Sequence, residues 1–207
     1  MQAVYLGMAL LIGAGLVLFG VGTGTGGGGL FGAFTNGSSS SSSSNPPVSK
    51  AEKSALRQTQ LHPSSPQAWV ALINARVAAG DEQCSGTSCT AAGRKDLQGA
   101  GQAWQRYLKL TSSPNTQVAR TVATSYETLG DFADATRAWQ IVTQASPNDA
   151  TYFEFLARDA YEAKETRIGD LASQKALSLV PKSERKALQT ELQQYKSGAS
   201  SPSATGG

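Results

Sequence analysis

The sequence predicts an all-α protein in which about three tandem helical hairpins, with flanking helices, are tethered to one N-terminal transmembrane helix. Two observations predict this fold class. Small and apolar residues recur at matching positions in the consecutive segments 116–149 and 150–183, as a repeated helix–turn–helix unit requires. The first 49 of the 207 residues carry no charged side chain and include a long apolar run. A hairpin of this size cannot bury its own apolar face, so each unit is expected to stack on its neighbour.

Residues 3–22 are predicted to form the membrane span. Ten of these 20 uncharged residues are Val, Leu, Ile or Phe, and a helix of that length crosses about 30 Å of hydrocarbon. A cleaved signal peptide is the main alternative, although no Lys or Arg precedes the run and no clear cleavage motif follows it. The other alternative is that this run forms a buried helix of a soluble domain. One hypothesis for the missing basic flank is that Met1 is not the natural start.

Two segments are predicted to lack regular structure. Residues 23–47 are Gly-rich and then Ser-rich, which indicates a flexible linker with a root-mean-square reach of about 25 Å. Residues 197–207 contain mostly Ser, Gly, Ala and Pro, which predicts a disordered tail. The pattern G-x-G-x-x-G at 22–27 is rejected as a dinucleotide site, because a membrane span and not a strand precedes it and the first acidic residue is Glu52.

The helical domain is predicted to occupy residues 48–196. Its first helix follows the capping box Ser49-x-x-Glu52 and ends before His62-Pro63. Helical spacing then continues to a last helix that begins near Ser183 and carries one apolar stripe, as a capping helix at the end of a stack requires. Large aromatic side chains within the repeats are predicted to fill the core between layers, and they are Trp104, Tyr126 and Trp139.

The repeated segments resemble the tetratricopeptide repeat family. The fullest copy, 116–149, has the small and aromatic residues of helix A, a Gly turn, and the small, aromatic and Pro residues of helix B: Ala123, Tyr126, Gly130, Ala135, Trp139 and Pro147. The copy at 150–183 has Lys164 where the family has the turn Gly. The first copy, about 66–115, has Trp69 and Leu72 but carries an insert of about 16 residues. The resemblance implies a solenoid of helix A and helix B pairs.

The resemblance also implies where a ligand would lie, since the family binds partners in the concave groove lined by its A helices. The corresponding positions in this chain are Gln67, Val70, Asn74, Val77, Arg120, Thr124, Glu127, Glu154, Arg158 and Tyr161. Their charges are mixed in sign, which suits an extended peptide held by charge-assisted hydrogen bonds. The alternative is a solvated face whose ion pairs are internal to the domain and each contribute less than about 1 kcal/mol.

Two cysteines lie in the insert of the first copy. Cys84 and Cys89 flank a Gly/Ser-containing loop and are predicted to form a disulfide that staples this loop, as in an exported protein. Free thiols are the alternative. A metal site is disfavoured because two Cys and the distant His62 do not supply four ligands. No cofactor is expected.

The chain is therefore predicted to be a non-enzymatic adaptor that binds a protein or peptide near the membrane. The net charge is only +3, and the sequence lacks the clustered basic residues that are typical of a nucleic-acid binder. The chain is expected at the cell membrane as a single-pass protein, with its C-terminal domain on the extracytoplasmic side. Its plan is similar to that of single-span bacterial repeat proteins that assist export or envelope assembly. The alternatives are a structural subunit of a membrane complex and a self-associating, homo-oligomeric repeat protein.

Overall fold

The computed structural model describes residues 49–198. The predicted span at 3–22, the predicted linker at 23–47 and all but the start of the predicted tail lie outside these residues. The described part is mostly helical, which confirms the all-α prediction. In chain order its helices are α1 Lys50–Leu61, α2 Pro66–Asp81, α3 Ala91–Leu108, α4 Thr116–Leu129, α5 Phe132–Ala145, α6 Ala150–Glu162, α7 Thr166–Leu179 and α8 Arg185–Ser197.

Polar caps define where most of these helices begin. Ser49 accepts a hydrogen bond from the amide N–H of Glu52 at 3.0 Å, and Asn115 accepts one from the amide of Val118 at 3.1 Å. The predicted capping box at α1 is half formed, since the carboxylate of Glu52 accepts instead from Nε of Arg76 on α2 at 3.0 Å. The first residues of α1 are thereby tied to the next helix.

Helices α2 to α7 form three successive hairpins, and each hairpin contacts the next. The packed pairs are α2 with α3, α4 with α5, and α6 with α7. The second helix of one hairpin packs on the first helix of the next, as α3 does on α4 and α5 does on α6. Helix α1 packs on α2, and α8 packs on both α6 and α7. Each helix from α1 to α8 contributes buried residues to one hydrophobic core.

The turns of the second and third hairpins repeat the same backbone geometry at equivalent positions of the two copies. Gly130 has φ +77° and Lys164 has φ +62°, both in the left-handed region. In the second hairpin the amide of Asp131 donates to the carbonyl of Tyr126 at 2.8 Å. In the third, the amide of Glu165 donates to the carbonyl of Ala160 at 2.7 Å. The repeat in the sequence is therefore matched by a repeat in the backbone.

The aromatic residues predicted for the core are buried, which confirms that prediction. Trp104, Tyr126 and Trp139 are 2%, 6% and 3% exposed. Small residues allow the helices to approach closely around them. A Cβ atom at Gly101 of α3 would lie 2.8 Å from Cε1 of Tyr126 on α4, so only a glycine leaves room for this ring.

The predicted insert of the first copy is shared between longer helices and a short hairpin. Helix α2 has 16 residues and α3 has 18, whereas α4 and α5 have 14 each. Between α2 and α3, strands β1 (Cys84–Ser85) and β2 (Ser88–Cys89) pair antiparallel. The helices extend because Gly80 leaves room for the buried Leu97 of α3, whose Cδ2 would lie 2.5 Å from a Cβ at that glycine.

Candidate protein-binding surface

Helices α2, α4 and α6 are the first helices of the three hairpins, and their side chains at the predicted groove positions define what we call the A-helix face. This face comprises Gln67, Val70, Asn74, Arg120, Thr124, Glu127, Glu154 and Arg158. Asn74 and Thr124 are exposed, and the four charged side chains are half-buried. Val77 was also predicted to line the groove, but it is buried in the core at 6% exposure.

Arg120 lies on α4 beside the third hairpin. Its guanidinium carbon is 5.2 Å from the centre of the Tyr152 ring of α6, within the range of a cation–π contact. Its Nη1 donates to Oε1 of Gln117 at 3.3 Å. Among residues 49–198, no carboxylate forms an ion pair with Arg120. Its positive charge is therefore not neutralised by a direct contact with this part of the chain.

Thr124 follows Arg120 by one helical turn. Its hydroxyl donates to the Arg120 carbonyl at 3.3 Å, and this bond satisfies the hydroxyl hydrogen within the helix. The oxygen lone pairs remain directed to solvent because the side chain is exposed. Thr124 can therefore accept a hydrogen bond from a bound chain.

Glu127 and Arg158 form an ion pair that joins α4 to α6. Nη2 of Arg158 is 2.8 Å from Oε2 of Glu127, while the other oxygen of Glu127 accepts from Nε1 of Trp139 on α5 at 2.8 Å. Arg158 also donates from Nε to Oδ1 of Asp159 at 2.9 Å. These two predicted groove residues thus pair with each other inside the domain. This is the arrangement expected under the alternative to a peptide-binding groove, in which the ion pairs are internal to the domain.

Glu154 lies where α6 meets the last helix. Partial burial raises the pKa of its carboxyl above the ordinary value, and the negative charges of Glu191, Asp149 and Glu184 raise it further. The α8 helix packs on α6 and supplies Glu191. Glu154 therefore stands in an acidic neighbourhood at one end of the A-helix face.

Tyr161 was predicted to line the groove, but the structure places it inside the third hairpin. Its side chain is 6% exposed and packs on Gly169 of α7, where a Cβ would lie 2.5 Å from ring carbon Cε1. Its hydroxyl lies 2.8 Å from Oδ1 of Asp170, to which it donates, and 3.0 Å from the hydroxyl of Ser173. The space left by Gly169 accommodates the ring between the two helices, so we leave Tyr161 out of the A-helix face.

Three side chains beside this face were not identified from the sequence. Tyr152, Phe155 and Asp159 form one stripe on α6 that faces the second hairpin. Trp139 contacts both aromatic rings of the stripe, with ring centres 6.0 Å from Tyr152 and 4.9 Å from Phe155. Asp159 is fully buried at 0% exposure. The sequence signal for this stripe is its spacing: aromatic residues at positions i and i+3 are followed by a carboxylate at i+7, so all three lie on one side of the helix.

The two cysteines lie away from the A-helix face. The sulfur atoms of Cys84 and Cys89 are bonded at 2.06 Å across the β1–β2 hairpin. Gln83 anchors this hairpin, since its side-chain amide donates to the carbonyl of Ala79 at 2.9 Å and to Oδ2 of Asp96 at 3.2 Å. His62 is exposed in the turn before α2. In the stretch from 49 to 198, no three His, Cys, Asp or Glu side chains are grouped to hold a metal ion.

Comparison with known proteins assigns no family to the chain. No protein-family model matches the sequence, and no curated protein is significantly similar to it. None of the helices within residues 49–198 combines the length and the apolar character needed to cross a membrane.

Proposed function

We propose that this chain is a membrane-anchored scaffold of the tetratricopeptide type that binds a protein or peptide partner on its A-helix face. One observation carries the proposal: the second and third hairpins present α4 and α6 side by side, with Arg120 between them and no ion-pair partner for its cation among the described residues. The repeated backbone geometry at the two turns supports the family resemblance. A stack of hairpins with such a face is suited to holding another chain.

The partner is an extended segment that carries at least one carboxylate. Arg120 donates charge-assisted hydrogen bonds to that carboxylate, and such bonds contribute about 1.5–3 kcal/mol each. Thr124 accepts a hydrogen bond from the backbone of the segment. Tyr152 and Phe155, both half-buried, offer ring edges for apolar side chains of the partner.

The proposed location follows from the segments that precede this domain and from the disulfide within it. The apolar run at 3–22 anchors the protein in the cell membrane, and the segment 23–47 lets the helical domain reach partners near the surface. The disulfide between Cys84 and Cys89 supports the extracytoplasmic side, because disulfides persist in oxidising compartments. The role we infer there is assistance to protein export or envelope assembly.

A structural subunit that self-associates or joins a larger membrane complex is the second candidate. The observation that favours it is Leu171, which is 58% exposed on α7, the second helix of the third hairpin. Leu171 does not belong to the A-helix face, so a second subunit can cover it while that face stays free. Under this candidate the A-helix face has no partner of its own.

Cross-linking in intact membranes, followed by mass-spectrometric identification, tests the proposal. The full chain is compared with Arg120→Glu and with Arg137→Glu, a matched charge reversal on the exposed face of α5 whose partner is Asp134. We expect the partner adduct to fall about tenfold or more with Arg120→Glu, since the loss of about 1.4 kcal/mol changes affinity tenfold. Arg137→Glu keeps the wild-type yield.

Two results contradict the proposal. An adduct that persists in both variants removes Arg120 from the binding surface. An adduct whose mass is a multiple of this chain, and which is lost when Leu171 is replaced by Ser, supports the self-associating subunit instead. Far-UV circular dichroism of each variant checks that its helix content is unchanged.

A further inference from the structure

Two carboxyl groups from different hairpins share one edge of the Arg158 guanidinium. Nε of Arg158 lies 2.9 Å from Oδ1 of Asp159, and Nη2 lies 2.8 Å from Oε2 of Glu127. These two nitrogens point along the same edge of the planar group, which a single carboxylate ordinarily fills with both of its oxygens. The two carboxyl groups are therefore brought close together by one cation.

The three side chains are taken out of water to different extents. The Asp159 side chain is 0% exposed, that of Glu127 is 21% exposed and that of Arg158 is 26% exposed. Oδ2 of Asp159 is buried and has no hydrogen-bond partner among the described residues. A fully buried carboxylate oxygen without a donor is unfavourable, because it loses its hydration and gains nothing in exchange. A proton on Asp159 removes the charge and turns the group into a donor.

The described residues around this cluster supply no second cation by direct contact. From α5 the indole N–H of Trp139 donates to Glu127, and from α8 the phenol of Tyr195 lies near Arg158. Burial opposes the charge of Arg158, but the two neighbouring carboxyl groups outweigh it and raise the pKa of the guanidinium. Arg158 thus stays positive, and its single positive charge lies next to the two carboxyl groups of Glu127 and Asp159. The cluster is neutral only while it holds one proton.

We propose that Glu127, Arg158 and Asp159 form a proton-linked joint between the second and third hairpins. With one proton on Asp159, the joint is neutral and α4 is held against α6. When the proton leaves, a net negative charge remains in the interior and the contact between the hairpins weakens. The joint acts on the domain itself, with or without a bound partner.

The sign of the pH dependence follows from the buried acid. Burial raises the pKa of Asp159 from 3.8 to about 7; Arg158 opposes this rise and the negative charge of Glu127 adds to it. Between these two pKa values, Asp159 therefore keeps its proton in the folded protein and has released it in the unfolded chain. The contribution of this group to stability is fully present below its unfolded pKa and is lost as the pH rises through its folded pKa. This direction is opposite to that of an ordinary salt-bridged carboxylate.

The experiment follows the thermal midpoint of the full chain, Tm, between pH 5 and pH 8. For the wild type we expect Tm to fall by about 5 °C over this range. Asp159→Asn carries an amide that imitates the neutral acid, so its Tm is expected to fall less over this range than the wild-type Tm and to exceed the wild-type value at pH 8. Hydrogen exchange at pH 8 is expected to be faster in the wild type than in Asp159→Asn within α4 and α6.

Two control variants separate the joint from other titrating groups. Asp134→Asn removes a half-buried acid of α5 that lies outside the joint, and His62→Gln removes the chain's one histidine. Both are expected to keep the wild-type slope of Tm against pH. A wild-type Tm that does not fall between pH 5 and pH 8 overturns the proposal, and so does the same slope in Asp159→Asn.

A second readout needs no substitution. Carbon-13 spectra of wild-type protein labelled at Asp side-chain carboxyl groups are expected to contain one resonance that titrates near pH 7. If every Asp carboxyl titrates below pH 5, Asp159 holds no proton near neutral pH and the proposal is wrong. This measurement decides the question even if Asp159→Asn fails to fold.

Discussion

Trp139 links three helices at the junction between the second and third hairpins. Its ring lies on α5 and contacts Tyr152 and Phe155 of α6, and its indole N–H donates to Glu127 of α4. A tryptophan at such a junction fills the gap between layers and also satisfies a polar group, because its ring has both an apolar body and one donor.

Two substitutions separate these contributions. Trp139→Ala is expected to lower the free energy of unfolding by about 3–5 kcal/mol, since it leaves a cavity at the junction. Trp139→Phe keeps most of the packing and removes the donor to Glu127, so we expect a loss of about 1–2 kcal/mol. Denaturant unfolding of the full chain at pH 7 measures both. Equal stability of Trp139→Ala and the wild type would mean that the ring does not occupy this junction.

The sequence predicted burial at the residue scale better than it predicted orientation. Trp104, Tyr126 and Trp139 are buried as expected, because helical spacing places them on the apolar side of their helices. The orientation of Tyr161 could not be predicted in this way. Its ring turns toward α7 because Gly169 of that helix leaves space for it. The ion pair between Glu127 and Arg158 joins α4 to α6, and the indole that donates to Glu127 comes from α5. Spacing along one helix carries no information about such partners.

At the scale of the element, the turn within a hairpin shows how one backbone shape accommodates two residue types. The left-handed conformation at Gly130 and Lys164 lets the amide that follows reach back to the end of the first helix. Glycine adopts this conformation without strain, whereas a residue with a Cβ atom does so at a cost of about 1 kcal/mol. The sequence showed Lys164 as a departure from the repeat, yet the turn keeps its shape.

Reciprocal substitutions test this interpretation of the turns. Lys164→Gly is expected to stabilise the protein by about 0.5–1 kcal/mol, because it relieves the strain of a positive φ at an exposed site. Gly130→Ala introduces that strain and is expected to destabilise the protein by about 1 kcal/mol. Apart from the two adjoining residues, no described residue has an atom within 4 Å of a Cβ at Gly130, so no overlap with a packed neighbour contributes. Opposite signs of the two effects in denaturant unfolding are the expected result; a destabilising Lys164→Gly would contradict it.

Element boundaries were predicted well where a local signal marks them. Ser49 caps α1 and Gly130 ends α4, because caps and turns depend on residues close in sequence. The first hairpin was less predictable. Its long helices depend on Gly80 and Leu97, whose contact joins residues of different helices. The segment between Gly80 and Ala100 contains glycines and shows no apolar period, so the sequence predicted a longer loop there than the structure has.

At the scale of the whole molecule, the hairpins form a linear series in which each contacts its neighbours in sequence. The first helices of this series carry the A-helix face, on which Asn74 and Thr124 are exposed, while α8 packs on α6 beside Glu154 and Arg158. The last helix closes the series, since the buried Leu188 and Leu192 of α8 join the core. The stack thereby buries its end while α4 and α6 keep half-buried charged and aromatic residues at the surface.

Site-specific photocross-linking tests most directly whether this face binds the partner. A photoreactive residue is placed in the full chain at Thr124 on the A-helix face or at Gln144 on α5, both of which are exposed. In intact membranes we predict a discrete adduct with another protein from position 124 and none from position 144. Equal labelling from the two positions, or adducts from position 144 alone, would contradict the account.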